Sequence, residues 1–201
     1  MPAVSSGQLI TIGFTGNVSS VYDPHNIFGG QTHGEATGTY TYDTSTPDSN
    51  PSNSSGSYWH YNSPCGVSVS INGFNFQTNP DSVQFLLGIS NDNGGDIYWF
   101  HSYSNSPLPD GTLVDSIAWQ ITDSTGTALS NDSLPTTAPN LTSWDMDYGL
   151  HISGPPRTAF EFEIITNITS VVLVPEPATI CLFALGGLML RKIKFGDFTK
   201  S

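Results

Sequence analysis

Cations are almost missing from most of this 201-residue chain: before position 191 the only Lys or Arg is Arg157. Residues 1–174 set fifteen carboxylates against that one base, a net charge of −14. A surface of that sign repels a phosphate backbone, so nucleic acid is excluded as a partner. Charge of either sign is scarce, at 11% of the chain, yet aromatic residues also reach 11%. That ring area can offset the entropy of ordering, which rules out a wholly disordered polar chain. Cysteine is nearly absent: Cys65 sits in an Asn-Ser-Pro-Cys-Gly turn and Cys181 in an apolar run near the C-terminus. A bond between them would tie a polar domain to a hydrophobic tail, so both are read as free thiols and no disulfide framework is expected. Helical periodicity is missing too, since no stretch before Pro177 sustains it. No enzyme motif appears, and the five histidines show no spacing that would pair one with Cys65 as a nucleophile.

What is present is strand chemistry. Thr, Val, Ile, Ser and aromatic residues alternate between residues 8 and 174, with Gly, Pro, Asn or Asp interrupting every ten to fifteen positions. Gly38–Asp43 places Tyr40 and Tyr42 on one face and Thr39 and Thr41 on the other. Val67–Ile71 and Phe74–Phe76 flank Asn72-Gly73, a hairpin signal. Ser82–Ile89, Asp96–Ser102, Leu113–Ile121, Ala159–Ile165 and Ile168–Val174 read as further strands, while 44–57 and 123–139 read as long polar loops. The pattern predicts an all-β domain over residues 1–170, an antiparallel β-sandwich or jelly roll, with a distinct segment at 171–201.

Several clusters carry candidate chemistry. Asp92, Asn93 and Asp96 put hard oxygen ligands on a tight turn, which would suit Ca²⁺, although the spacing is not that of an EF-hand. No other cofactor is expected. Glu161 and Glu163 would lie about 6.5–7 Å apart on one strand, near the separation used by inverting glycosidases. Their flanking Phe160, Phe162 and Ile164 mark that face as solvated instead. Asp145 and Asp147 alternate with Trp144, Met146 and Tyr148 as the outer face of a strand. Trp59, with Tyr58 and Tyr61, follows the long loop at 44–57 and is the candidate for an exposed sugar-stacking platform.

The C-terminus is different in kind. Ala178 to Leu190 is thirteen residues without a charge, followed by Arg191, Lys192 and Lys194. As a helix that run spans about 20 Å, and counting to Phe195 with snorkelling basic heads about 27 Å, against a hydrocarbon core of about 30 Å. Length alone leaves open a buried helix of the domain or one short transmembrane helix. A basic cluster just after the run favours a cytoplasmic C-terminus with the domain outside.

Val174-Pro175-Glu176-Pro177, then the apolar run with Gly186-Gly187, then Arg191-Lys192, closely resembles the PEP-CTERM protein-sorting signal. The prolines keep the acidic triplet extended, and Pro177 fits a first helical turn. The resemblance covers about 25 residues, and it implies a membrane anchor processed near Pro175–Pro177 by an exosortase. It also implies export in a Gram-negative-type bacterium and a final place at the cell surface or in an exopolysaccharide matrix. Two features depart from that family: residues 1–14 supply no charged, apolar leader, and Gly196–Ser201 extends past the basic cluster. The expectation is a non-enzymatic, exported surface or biofilm-matrix protein. The alternative is a carbohydrate-binding module that uses exposed aromatics, with extracellular polysaccharide as its partner.

Overall fold

The computed structural model describes residues 7–50, 54–92 and 94–175. Ten strands follow in order: β1 Leu9–Tyr22, β2 Glu35–Asp43, β3 Ser55–His60, β4 Gly66–Ile71, β5 Phe74–Gln77, β6 Phe85–Asp92, β7 Gly95–Ser102, β8 Ser116–Asp123, β9 Met146–Ser153 and β10 Glu163–Leu173. They form one antiparallel sheet in the order β3-β6-β7-β8-β9-β10-β1-β2-β4-β5. The all-β, antiparallel expectation holds. Among the described residues the helical content is one 3₁₀ turn, Leu141–Ser143.

The sheet curls onto itself. Tyr40 on β2 and Tyr98 on β7 are separated by four strands in the sheet order, yet their hydroxyls lie 2.9 Å apart. The Tyr40 ring also sits 4.9 Å from Phe100. The period-2 alternation explains why: Tyr40 and Tyr42 on β2, Tyr98 and Phe100 on β7, and Trp119 and Ile121 on β8 all fall on the inner face and are buried. Register shifts interrupt the β1–β10 pairing between Thr15 and Gly16 and again between Val18 and Ser20, and the β8–β9 pairing between Trp119 and Ile121. Such irregularities sharpen local twist and let a strand turn a corner. The free edge strand β3 is tied to β2 through His60, whose Nε2 accepts the Asp43 N–H at 3.2 Å.

Three elements differ from the sequence pattern. β3 begins inside the polar stretch assigned to a loop. β9 carries the Asp147 segment, but Met146 and Tyr148 face solvent, and burial starts only at Gly149 and Leu150. β10 is a single strand where the pattern suggests two: Thr166, which looks like a polar break, is fully buried opposite Leu150. β10 also runs across the 170/171 boundary, and the Val174 N–H still donates to Thr11 O at 2.9 Å.

Candidate ligand-binding face

β3, β6 and β7 lie side by side at one end of the sheet order, with Trp59 opposite Leu86 and Leu86 opposite His101. Residues of one parity on these strands point out of the curl. Trp59 on β3 and Tyr61 just past it are two residues apart, so they share that face, with ring centroids 6.0 Å apart and planes within 6°. His101 on β7 and Tyr103 just beyond it do the same, stacked at 3.8 Å. The two pairs meet where Trp59 and Tyr103 approach to 5.4 Å. The result is a strip of four rings, Tyr61–Trp59–Tyr103–His101, in which Tyr61 is 61% and Tyr103 45% exposed. Trp99, one rank away, lies across Gly88, where a Cβ would sit inside its ring. Glycine at 88 therefore lets the indole lie flat on the sheet.

Tyr58 does not join the strip. As the neighbour of Trp59 in a strand it points the other way, into the core, where its hydroxyl donates to Asp132 O at 2.8 Å. Burial pushes its phenol up to about 12. His101 and Tyr103 take its place. Their signal in the sequence is the alternation Trp99, His101, Tyr103, but their meeting with Trp59 depends on the β3–β6–β7 order, which no local pattern encodes.

Electrostatically the strip is neutral. His101 Nε2 lies 2.9 Å from Ser116 Oγ, and burial lowers its pKa, opposed by the charge of Asp115. Aromatic faces carry partial negative charge and attract the polarised C–H groups of an apolar ring face. A run of such faces beside hydroxyl and imidazole groups can hold a saccharide chain without needing charge on it.

The remaining candidate residues are spread apart. Asn93 lies outside the described residues. Asp92 pairs through its backbone with Gly95 at the β6–β7 turn. Asp96 is turned to the inner face and fully buried, and its Oδ2 accepts the Leu129 N–H at 2.7 Å. Among the described residues no three His, Cys, Asp or Glu side chains gather as a metal would require. Glu161 precedes β10 in a turn, while Glu163 opens the strand and lies 3.3 Å from His151. Asp145 accepts from Ser124, and Asp147 accepts from the buried Trp119 indole at 3.0 Å. Burial, reinforced by the Asp43 charge, raises the Cys65 thiol to about 11. A thiol held protonated at neutral pH is a poor nucleophile.

Val174 and Pro175 lie at the sheet rim, where β10 ends, and both are exposed. Glu176, Pro177, the apolar run Ala178–Leu190 and the basic Arg191, Lys192 and Lys194 lie outside the described residues, as does Cys181. Among the described residues no helix is long and apolar enough to cross a membrane. No family model matches this chain, and no curated protein or solved structure matches it either.

Proposed function

We propose that this chain is a non-enzymatic, exported surface or matrix protein whose curled sheet, a sandwich of jelly-roll type, holds neutral polysaccharide along the Tyr61–Trp59–Tyr103–His101 strip. The observation that carries this reading is the strip itself: four contiguous rings on a solvent face, with Tyr61 and Tyr103 exposed. Exposed aromatic surface of that kind marks interaction sites. The charge supports the ligand class, because a domain with fifteen acids and one Arg repels uronate-rich polymers and leaves neutral glycans favoured.

The tail supports the location. The Pro-Glu-Pro triplet, the apolar run and the basic cluster stand in the order of a PEP-CTERM signal. β10 stays hydrogen-bonded as far as Val174 and so delivers Pro175 at the sheet rim with no intervening linker. A membrane-embedded exosortase acting between Pro175 and Pro177 would cut within three residues of that last hydrogen bond, and the processed domain would then reside at the cell surface or in the matrix.

The test is binding of the full chain, in zwitterionic detergent, to an array of neutral and anionic glycans, beside Trp59→Ala and Tyr103→Ala. Binding to neutral glycans that falls at least tenfold in both variants, with unchanged thermal midpoints, supports the reading. Equal binding in all three proteins, or none in any, removes it.

A further inference from the structure

The longest connection among the described residues, residues 124–145 between β8 and β9, carries only the 3₁₀ turn at Leu141–Ser143. Loops of that length without regular structure are unusual in compact domains and tend to be functional. This one is fastened from beneath by side chains of four strands. Asp123 accepts the N–H groups of Thr125, Thr127 and Ala128 at 2.8, 2.7 and 2.9 Å. Asp96 accepts that of Leu129 at 2.7 Å. The hydroxyls of Tyr58 and Tyr42 donate to the carbonyls of Asp132 and Pro135, both at 2.8 Å. Such fastening holds residues 125–135 of the loop against the sheet before any ligand arrives, which lowers the ordering cost of binding.

The loop borders an open pocket of about 490 Å³ beside Tyr98 and Trp144, within the range of small-molecule sites, about 300–1,000 Å³. Its lining falls into two parts. Leu134 and Trp144 are half-buried and apolar, whereas Ser133, Thr136 and Thr137 are exposed. Among the described residues those three hydroxyls and the Trp144 indole N–H have no hydrogen-bond partner in the protein. No Asp, Glu, Lys, Arg or His lines the pocket.

Each property narrows the ligand. A charged ligand would find no counter-charge in the lining, and an anion would also face the domain's net negative charge. A purely apolar ligand would strip water from the hydroxyls and return no hydrogen bond, which is costly. A neutral ring with one apolar face and several hydroxyls satisfies both halves. We infer that the 124–145 loop forms a second binding site, separate from the outer strip, that takes a short neutral saccharide or the end of a neutral glycan chain against Trp144.

The test uses full-length protein in zwitterionic micelles, titrated separately with maltotriose, mannotriose, N,N′,N″-triacetylchitotriose and, as the charged comparison, trigalacturonic acid. The indole N–H resonances of the four tryptophans are followed by NMR. The expected result is a saturable shift of the Trp144 resonance with at least one neutral trisaccharide. Affinity read at the Trp144 resonance should fall several-fold in the exposed-site double variant Thr136→Val/Thr137→Val and stay within twofold in Trp59→Ala, and the trisaccharide binding that Trp59→Ala retains, measured by calorimetry, should fall at least tenfold when Trp144→Ala is added. Should Trp144→Ala fail to fold, the double variant decides. The inference is overturned if no neutral trisaccharide shifts the Trp144 resonance, if the charged trisaccharide binds more tightly than the neutral ones, or if affinity follows Trp59 alone. That last result would leave the outer-strip reading standing.

Discussion

Removing one hydroxyl from the Tyr40–Tyr98 pair should cost more than removing both. Tyr40 and Tyr98 come from opposite walls of the curl, are almost wholly buried, and share one hydrogen bond of 2.9 Å. Burial raises both phenols far above their ordinary pKa, so both are neutral at any working pH. Tyr40→Phe leaves the Tyr98 hydroxyl dry and without a partner, at a cost of about 1–3 kcal/mol. Tyr98→Phe does the same to Tyr40. The double variant leaves two rings of nearly unchanged shape and no orphaned polar group, so it should lie close to the wild type. In thermal terms each single change lowers the midpoint by roughly 2–12 °C for a domain of this size. The assay is a double-mutant cycle from urea unfolding followed by tryptophan fluorescence. A double variant destabilised by the sum of the two singles would mean the hydroxyls do not meet, and the packing of β2 on β7 would be refuted.

His60 sets the acid response of the free edge. Burial lowers its pKa, opposed by its backbone hydrogen bonds and the Asp43 charge, and in its neutral form it accepts the Asp43 N–H. Its stabilising contribution is therefore complete above the ordinary His pKa of about 6.5 and is lost as pH falls through the lowered folded value. Urea midpoints measured across that window should drop in the wild type, and the drop should be smaller in His60→Gln. Gly88→Ala should lift the Trp99 indole off the sheet, red-shifting its emission and costing about 1–3 kcal/mol. Asp123→Ala removes the acceptor for three loop N–H groups, so hydrogen exchange should quicken across 124–129 while β7 and β8 stay protected.

Much of the sheet was legible because its signals are local. Tyr40 and Tyr42 alternate with threonines, and Asn72-Gly73, with φ of 51° and 87°, makes the two-residue hairpin its dipeptide announces. What the sequence could not show depends on partners far away in the chain. The polar residues Ser55–Ser57 become strand because β6 supplies the edge they pair with. Thr166 looks like a break but is enclosed by the curl. Asp96 and Asp123 read as turn carboxylates, yet they are buried because the following loop turns its N–H groups onto them. The strip was half legible. Trp59 and Tyr61 were visible as a candidate platform, and parity within β3 separates them from Tyr58. His101 and Tyr103 enter only through the non-sequential order β3-β6-β7. The loop pocket had no linear signature, since its hydroxyl-rich composition is that of any surface loop.

Glycan contact with the strip is read most directly by cross-saturation NMR. A neutral oligosaccharide selected from the array is irradiated while the full-length protein's aromatic protons are observed. Transfer is expected to the ring protons of Trp59, Tyr61 and Tyr103, with the inner-face rings Tyr40 and Phe100 silent. Bound glycan that leaves all three strip rings unsaturated would contradict the strip as the binding face.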